Sequence, residues 1–200
     1  MPTDNSQTFD KSKARLRCDL RNRRRQLSVK TRARFDQSVN RHLLKLVNSH
    51  GAKSIACYWP FDGEPDIAPL CDQLMTKGCQ LALPVISRGN DHCMTFHLWQ
   101  SKTTLNRNRY GICEPAASPC LPVCNFDMLL MPLVGYDLQG HRIGMGAGYY
   151  DRHLESIRNS PTPMRVGVAY SLQEIHHVNE DAWDVSLHAI VNEHGCFTLL

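Results

Sequence analysis

Apolar residues recur at helical spacing near the N-terminus and in short strand-length runs through the rest of the chain. Residues 12–26 hold strong helix formers and no Gly or Pro, with Leu16 and Leu20 one turn apart, which predicts a helix. Ser28 is a candidate N-cap for a second helix over 29–49. Phe35, Val39, Leu43, Leu46 and Val47 mark one face of it, and Gly51 stops it. Strands are then predicted at 54–58, 80–85, 94–99, 128–134, 164–169 and 189–191. Helices are predicted at 67–77 and 149–159, with a turn or helical piece at 172–175. Arg88-Gly89-Asn90 reads as a hairpin turn, residues 100–125 as mostly irregular chain, and residues 1–10 as a disordered tail. Strands alternating with helices predict an α/β fold: one domain over 11–200, a three-layer α/β/α sandwich around a mainly parallel sheet, with a basic N-terminal helical segment. Ligands in such sheets sit at the carboxyl ends of strands. The loops after 54–58, 80–85 and 128–134 are therefore expected on one rim.

Composition narrows this picture. No apolar run approaches the length of a membrane span, and the N-terminus lacks the apolar region of a secretory signal, so no membrane partner and a cytoplasmic location are expected. Nine cysteines form no C-x-x-C pair and their number is odd, which predicts free thiols, with Cys120 and Cys124 only a weak metal pair. His176 and His177 would face opposite sides of a strand, and the ten histidines show no ligand pattern. The net charge of +4 conceals an asymmetry: residues 11–45 carry thirteen Lys or Arg against Asp19 and Asp36. That stretch makes salt-sensitive binding to polyanions a rival reading. No nucleic-acid motif accompanies it, so no specific nucleic-acid partner is expected. For most of Arg21–Arg25 a solvated basic face is the expectation.

The chemistry concentrates in 131–154, MPLVGYDLQGHRIGMGAGYYDRHL. A strand and a turn at 137–140 precede Gly144, Gly146 and Gly148, with Arg142 before them and Asp151 after. Alternating glycines expose backbone N–H groups and allow a phosphate to approach closely. The spacing is neither that of a P-loop nor the dinucleotide fingerprint. A glycine-rich turn between strand and helix explains it as well as a phosphate site does; the neighbouring cation and carboxylate favour the latter.

In order and spacing, six pieces resemble the 5-formyltetrahydrofolate cyclo-ligase family over residues 11–191. They are Lys13–Arg17, Tyr58–Asp66, Leu83-Pro84-Val85, Tyr110–Pro115, Gly135–Asp137 with Arg142–Arg152, and Trp183-Asp184-Val185. The resemblance implies a ligase that uses ATP and magnesium to convert 5-formyltetrahydrofolate to 5,10-methenyltetrahydrofolate. It implies ATP contacts at Lys13, Arg17, Arg142, Gly144, Met145, Gly146, Ala147, Gly148, Tyr149 and Tyr150. Folate contacts are implied at Trp59, Glu64, Met145, Gly146, Ala147, Gly148 and Tyr149. Magnesium ligands are implied at Asp151 and Asp184, and reaction-centre roles at Arg142, Tyr149 and Tyr150. Each has a plainer alternative: a core aromatic for Trp59, a helix cap for Glu64, helix-start packing for the tyrosines, an ordinary first-turn carboxylate for Asp151. Ala147 stands where relatives commonly have Gly or Lys, and needs a compatible φ. A monomer acting on small molecules is expected. A sugar-phosphate isomerase or acyl-CoA-type transferase on a similar sheet would need no ATP, and a non-catalytic scaffold would leave Arg142, Asp151 and Glu64 without joint purpose.

Overall fold

A computed structural model describes residues 4–87, Gly89 and residues 92–199, with the backbone alone for 4–12; the expected turn at Arg88 and Asn90 lies outside the described residues. Helix α1 spans Asp4–Arg25, so residues 4–10 continue the helix toward the N-terminus. Helix α2 (Val29–His50) starts where Ser28 accepts the Thr31 N–H and stops at Gly51, which adopts the left-handed φ of 69°. Strand β1 (Ser54–Ala56) leads to α3 (Ala68–Thr76), then β2 (Gln80–Ile86) and β3 (Met94–Trp99). Next come β4 (Leu105–Arg107), β5 (Cys113–Pro115), β6 (Cys120–Leu121) and β7 (Met128–Pro132). The hairpin β8 (Gly135–Tyr136) and β9 (Arg142–Ile143) precedes α4 (Tyr149–Leu154), and β10 (Met164–Val168), β11 (Ala189–Val191) and β12 (Cys196–Thr198) close the chain.

Eight strands form one sheet in the order β12-β11-β10-β7-β1-β2-β3-β6. The five from β11 to β2 are mutually parallel, while β12, β3 and β6 pair antiparallel at the edges. The inner strands are largely buried on both faces, which explains their mostly apolar runs, Arg165 of β10 being a buried exception. Ile55, Leu81, Met128, Leu130, Val166 and Val168 face α2 and α3 through Val39, Leu43, Leu70 and Leu74. Ala56, Ala82, Leu129, Met131 and Ile190 pack in a second cluster with Phe96 of β3 and Leu154 of α4. Among the described residues no helix is long and apolar enough to cross a membrane.

Two local expectations need correction. Residues 100–125 are mostly irregular, as expected, but hold the β4–β5 hairpin and β6. These strands are two or three residues long, too short for a hydrophobic period to mark them. β12 has the same character and was not anticipated. Finally, Arg21–Arg25 is not simply a solvated basic face. Asp62, on the loop after β1, draws in three of those side chains. Its Oδ2 accepts from Arg21 Nε at 2.7 Å and from Arg24 Nη2 at 3.4 Å, and its Oδ1 accepts from Arg25 Nε. Arg24 is wholly buried and also donates to the carbonyls of Asp62 and Leu133, each at 3.1 Å.

Helix α1 thus belongs to neither layer. Leu16 and Leu20 pack on Val134, Ile143 and Val178, laying the helix across the chain that leaves the carboxyl end of β7. A Cβ at Gly135 would come within 2.7 Å of Leu20 Cδ1, so any side chain there would force Leu20 to shift.

Candidate active site

The loops after β1 and β7 meet the tip of the β4–β5 hairpin around a cavity of about 320 Å³. Trp59, Phe61 and Glu64 come from the first loop, Asn108, Tyr110 and Ile112 from the hairpin, and Met145, Ala147, Tyr149 and Tyr150 from the second. The walls are mostly apolar with a few polar groups, the character of a small-molecule site. Trp59 is held edge-on to Trp99 at 5.9 Å between centroids while its ring lines the cavity.

Glu64 is the cavity's buried carboxyl, 7% exposed. Its Oε2 accepts the Phe61 N–H at 3.1 Å, bracing the loop. It does not cap α3, whose N-cap is Ile67. Burial pushes its pKa up to about 7, against the pull of Arg24 and the Phe61 N–H. Tyr150 packs on Phe96, and its buried hydroxyl has no protein partner. Burial, with Glu64 nearby, raises its pKa. The Tyr149 hydroxyl instead accepts from Arg109 Nη2 at 2.5 Å and lies 3.4 Å from the Tyr110 hydroxyl.

A second pocket of about 190 Å³ adjoins the first. Lys13 and Arg17 enter from α1, Gly144, Gly146 and Gly148 supply bare backbone, and Asp151, Trp183 and Asp184 complete it. Arg17 Nε donates to the Gly144 carbonyl at 3.1 Å, and Lys13 Nζ pairs with Asp181 at 2.6 Å. Gly146 and Gly148 hold φ of 99° and 66°, which disfavour any side chain. Among the described residues the left-handed non-glycines are Asp62 and His92, so Ala147 fits its backbone without strain.

Arg142, Gly144, Gly148 and Asp151 line both spaces. Arg142 Nη2 meets Asp151 Oδ1 at 2.5 Å while its Nη1 donates to the Val185 carbonyl. Asp151 Oδ1 also accepts the Val185 N–H at 3.2 Å. Asp184 has a raised pKa, first because it is buried and also because Asp151 lies close; the Asp181 N–H, at 2.9 Å from its Oδ2, pulls the other way. A buried Asp184 carboxyl whose ionisation is opposed by the neighbouring Asp151, beside bare backbone, fits a hard divalent cation.

The expected residues therefore divide. Of the two spaces, Lys13, Arg17, Gly146 and Asp184 line only the basic pocket, whereas Trp59, Glu64, Met145, Ala147, Tyr149 and Tyr150 line only the apolar cavity. Asn108, Tyr110, Ile112 and Trp183 are additions that received no role from the sequence. Their one clue was that Tyr110, Ile112 and Trp183 fell within the quoted pieces.

Fold and site define an α/β enzyme with two adjoining pockets that share one glycine-rich wall. The model of the 5-formyltetrahydrofolate cyclo-ligase family matches residues 9–193. The 5-formyltetrahydrofolate cyclo-ligase of Haemophilus influenzae is 34% identical over 178 residues, covering 88% of this chain and 95% of that protein. That of Escherichia coli is 33% identical over 177 residues, covering 86% and 95%. Among solved structures, a 5,10-methenyltetrahydrofolate synthetase from Aquifex aeolicus matches with a TM-score of 0.80 at 33% identity, over 94% of this chain and 92% of that one. Another from Mycoplasma pneumoniae gives 0.74 at 26% identity, over 90% and 98%. The chain belongs to the 5-formyltetrahydrofolate cyclo-ligase family, and is a ligase of folate metabolism.

Proposed function

We propose that the protein converts 5-formyltetrahydrofolate and ATP to 5,10-methenyltetrahydrofolate, ADP and phosphate, with folate in the apolar cavity and the triphosphate in the basic pocket. The observation that carries this reading is the shared wall: Arg142, Gly144, Gly148 and Asp151 border both spaces. Two substrates on either side of that wall can bring a γ-phosphoryl group to a formyl oxygen.

The chemistry demands such contact. Ring closure on the formyl carbon would have to expel oxide or hydroxide, a poor leaving group. Transfer of the γ-phosphoryl group to the formyl oxygen releases ADP and leaves an iminium-like carbon. The folate 10-nitrogen attacks that carbon and loses its proton, and the oxygen departs as phosphate. Phosphoryl transfer asks the protein mainly for position and positive charge. Lys13, Arg17 and Arg142 supply the charge, and Gly146 and Gly148 open the backbone N–H groups to the phosphates. Asp151 and Asp184 are the residues that would hold magnesium, which when bound neutralises phosphate charge. Trp59 covers one face of the pterin and Glu64 accepts from its donor-rich edge. Tyr150, with its unpartnered hydroxyl, is suited to hydrogen-bond the reacting group.

The test is an absorbance assay for methenyl product from 5-formyltetrahydrofolate. Product should need ATP and magnesium and match ADP one to one. Product formed at the same rate without nucleotide would refute the proposal.

A further inference from the structure

A second polar cluster lies behind the basic pocket. Asp137, at the head of the β8–β9 turn, is wholly buried. Its Oδ1 accepts the N–H groups of Gln139 and His141, both at 3.0 Å, and its Oδ2 accepts the Val178 N–H at 2.9 Å. His141 Nδ1 lies 2.9 Å from that Oδ2 and His177 Nδ1 lies 3.9 Å from it. The two imidazoles stand edge to face at 6.3 Å. One ligand atom from each of Asp137, His141 and His177 falls within 4.8 Å of the others, the one such group of three among the described residues. In sequence the two histidines are far apart and showed no ligand pattern; the fold brings them together.

We infer that Asp137, His141 and His177 form a binding site for a first-row transition ion of the zinc class, separate from the magnesium site proposed for the nucleotide. Two imidazole nitrogens and one carboxylate oxygen suit zinc or cobalt, whereas magnesium prefers oxygen donors. The two imidazole-to-carboxylate separations, 2.9 and 3.9 Å, bracket the edge of a tetrahedron with zinc-type bonds, roughly 3.3 Å. On binding, the ion replaces the proton that His141 Nδ1 shares with Asp137. His141 then donates from Nε2 to Glu180, whose Oε2 already lies 3.1 Å away. That is the carboxylate–histidine–metal arrangement which orients a ligating ring. His177 is 59% exposed and leaves the site open to solvent, where water completes the coordination. The bound ion would tie the β8–β9 turn to the segment that carries Val178 and Asp181, both of which line the basic pocket.

Cobalt titration of the chelator-treated full-length protein tests this. One equivalent should bind, giving d–d absorption without the near-ultraviolet thiolate-to-cobalt band, and excess magnesium should not displace it. His177→Ala, a change at an exposed side chain, should abolish that spectrum while the circular dichroism is preserved. Glu180→Gln should weaken binding roughly 10-fold. Asp184→Asn should leave it unchanged, which separates this site from the proposed nucleotide metal. The inference is overturned if no cobalt binds, if the thiolate band appears and survives His177→Ala, or if magnesium or Asp184→Asn removes the ion.

Discussion

Asp62→Asn isolates one charge that fastens helix α1 to the loop after β1. Asparagine keeps the shape of the side chain and tolerates the left-handed φ of 53° at this position, so the backbone is spared. What is lost is the negative partner of Arg21, Arg24 and Arg25. The Asp62 side chain is 6% exposed and that of Arg24 1%, so the pair is desolvated. Removing one member of a buried pair costs about 3–5 kcal/mol, because the other charge is left uncompensated. Arg24 keeps the carbonyls of Asp62 and Leu133 and the nearby charge of Glu64, which places the expectation near the lower limit, about 3 kcal/mol. For a chain of this size that corresponds to a fall in Tm of about 6–12 °C.

Thermal and urea unfolding read the effect directly, with Arg23→Gln as the exposed control, expected within about 0.5 kcal/mol of wild type. The pH dependence carries an independent sign. Burial alone would raise the Asp62 carboxyl, but hydrogen bonds from Arg21 and Arg25 and the surrounding guanidinium charge hold it below its ordinary value of 3.8. A depressed folded-state pKa contributes stability that is present above the unfolded value and is lost as pH falls through the folded one. Wild type should therefore lose more stability than the variant below about pH 4. A Tm for Asp62→Asn equal to that of the Arg23 control would refute the reasoning, since the arginines would then be as well served by water. The helix carries Lys13 and Arg17 and the loop carries Trp59 and Glu64, so KM for both substrates should also rise.

Glu64→Gln should raise KM for 5-formyltetrahydrofolate on the order of 10-fold through one lost charged hydrogen bond, with KM for ATP little changed. Because the folded-state pKa of Glu64 is raised to about 7, its stabilising effect is full below the unfolded value and lost as pH rises through 7. Urea titrations from about pH 5 to about pH 8 should show wild type losing about 3 kcal/mol relative to the glutamine variant; parallel curves would disprove the burial of that charge. Gly146→Val places a branched side chain at a φ of 99°, its Cβ 3.6 Å from the Arg17 guanidinium carbon, and should weaken ATP use at least about 10-fold. Gly146 lines the basic pocket alone, so folate affinity by equilibrium titration should stay near wild type; an equal loss for both ligands would contradict the division of the site. Asp184→Asn should raise the magnesium concentration needed for half-maximal rate about 10-fold or more, and an unchanged magnesium curve would exclude it as a ligand.

What the amino-acid order determined by itself was local or periodic. Ser28 and Gly51 bound α2 because capping depends on the residue's own side chain and φ. The inner strands were legible because burial on both faces demands mostly apolar runs. The Gly144–Gly148 segment between Arg142 and Asp151 marked the shared wall because its residues are close in sequence. The tertiary structure decided whatever depends on chain-distant partners. Asp62 turned a basic stretch that read as solvated into a clasp centred on buried Arg24, and the β4–β5 hairpin, too short to show a period, brought Tyr110 over the cavity. The charge of Glu64 and the pairing of Asp137, His141 and His177 were likewise set by neighbours that only folding supplies. Periodicity reports how far a residue is buried, whereas electrostatics and coordination depend on which atoms share that burial.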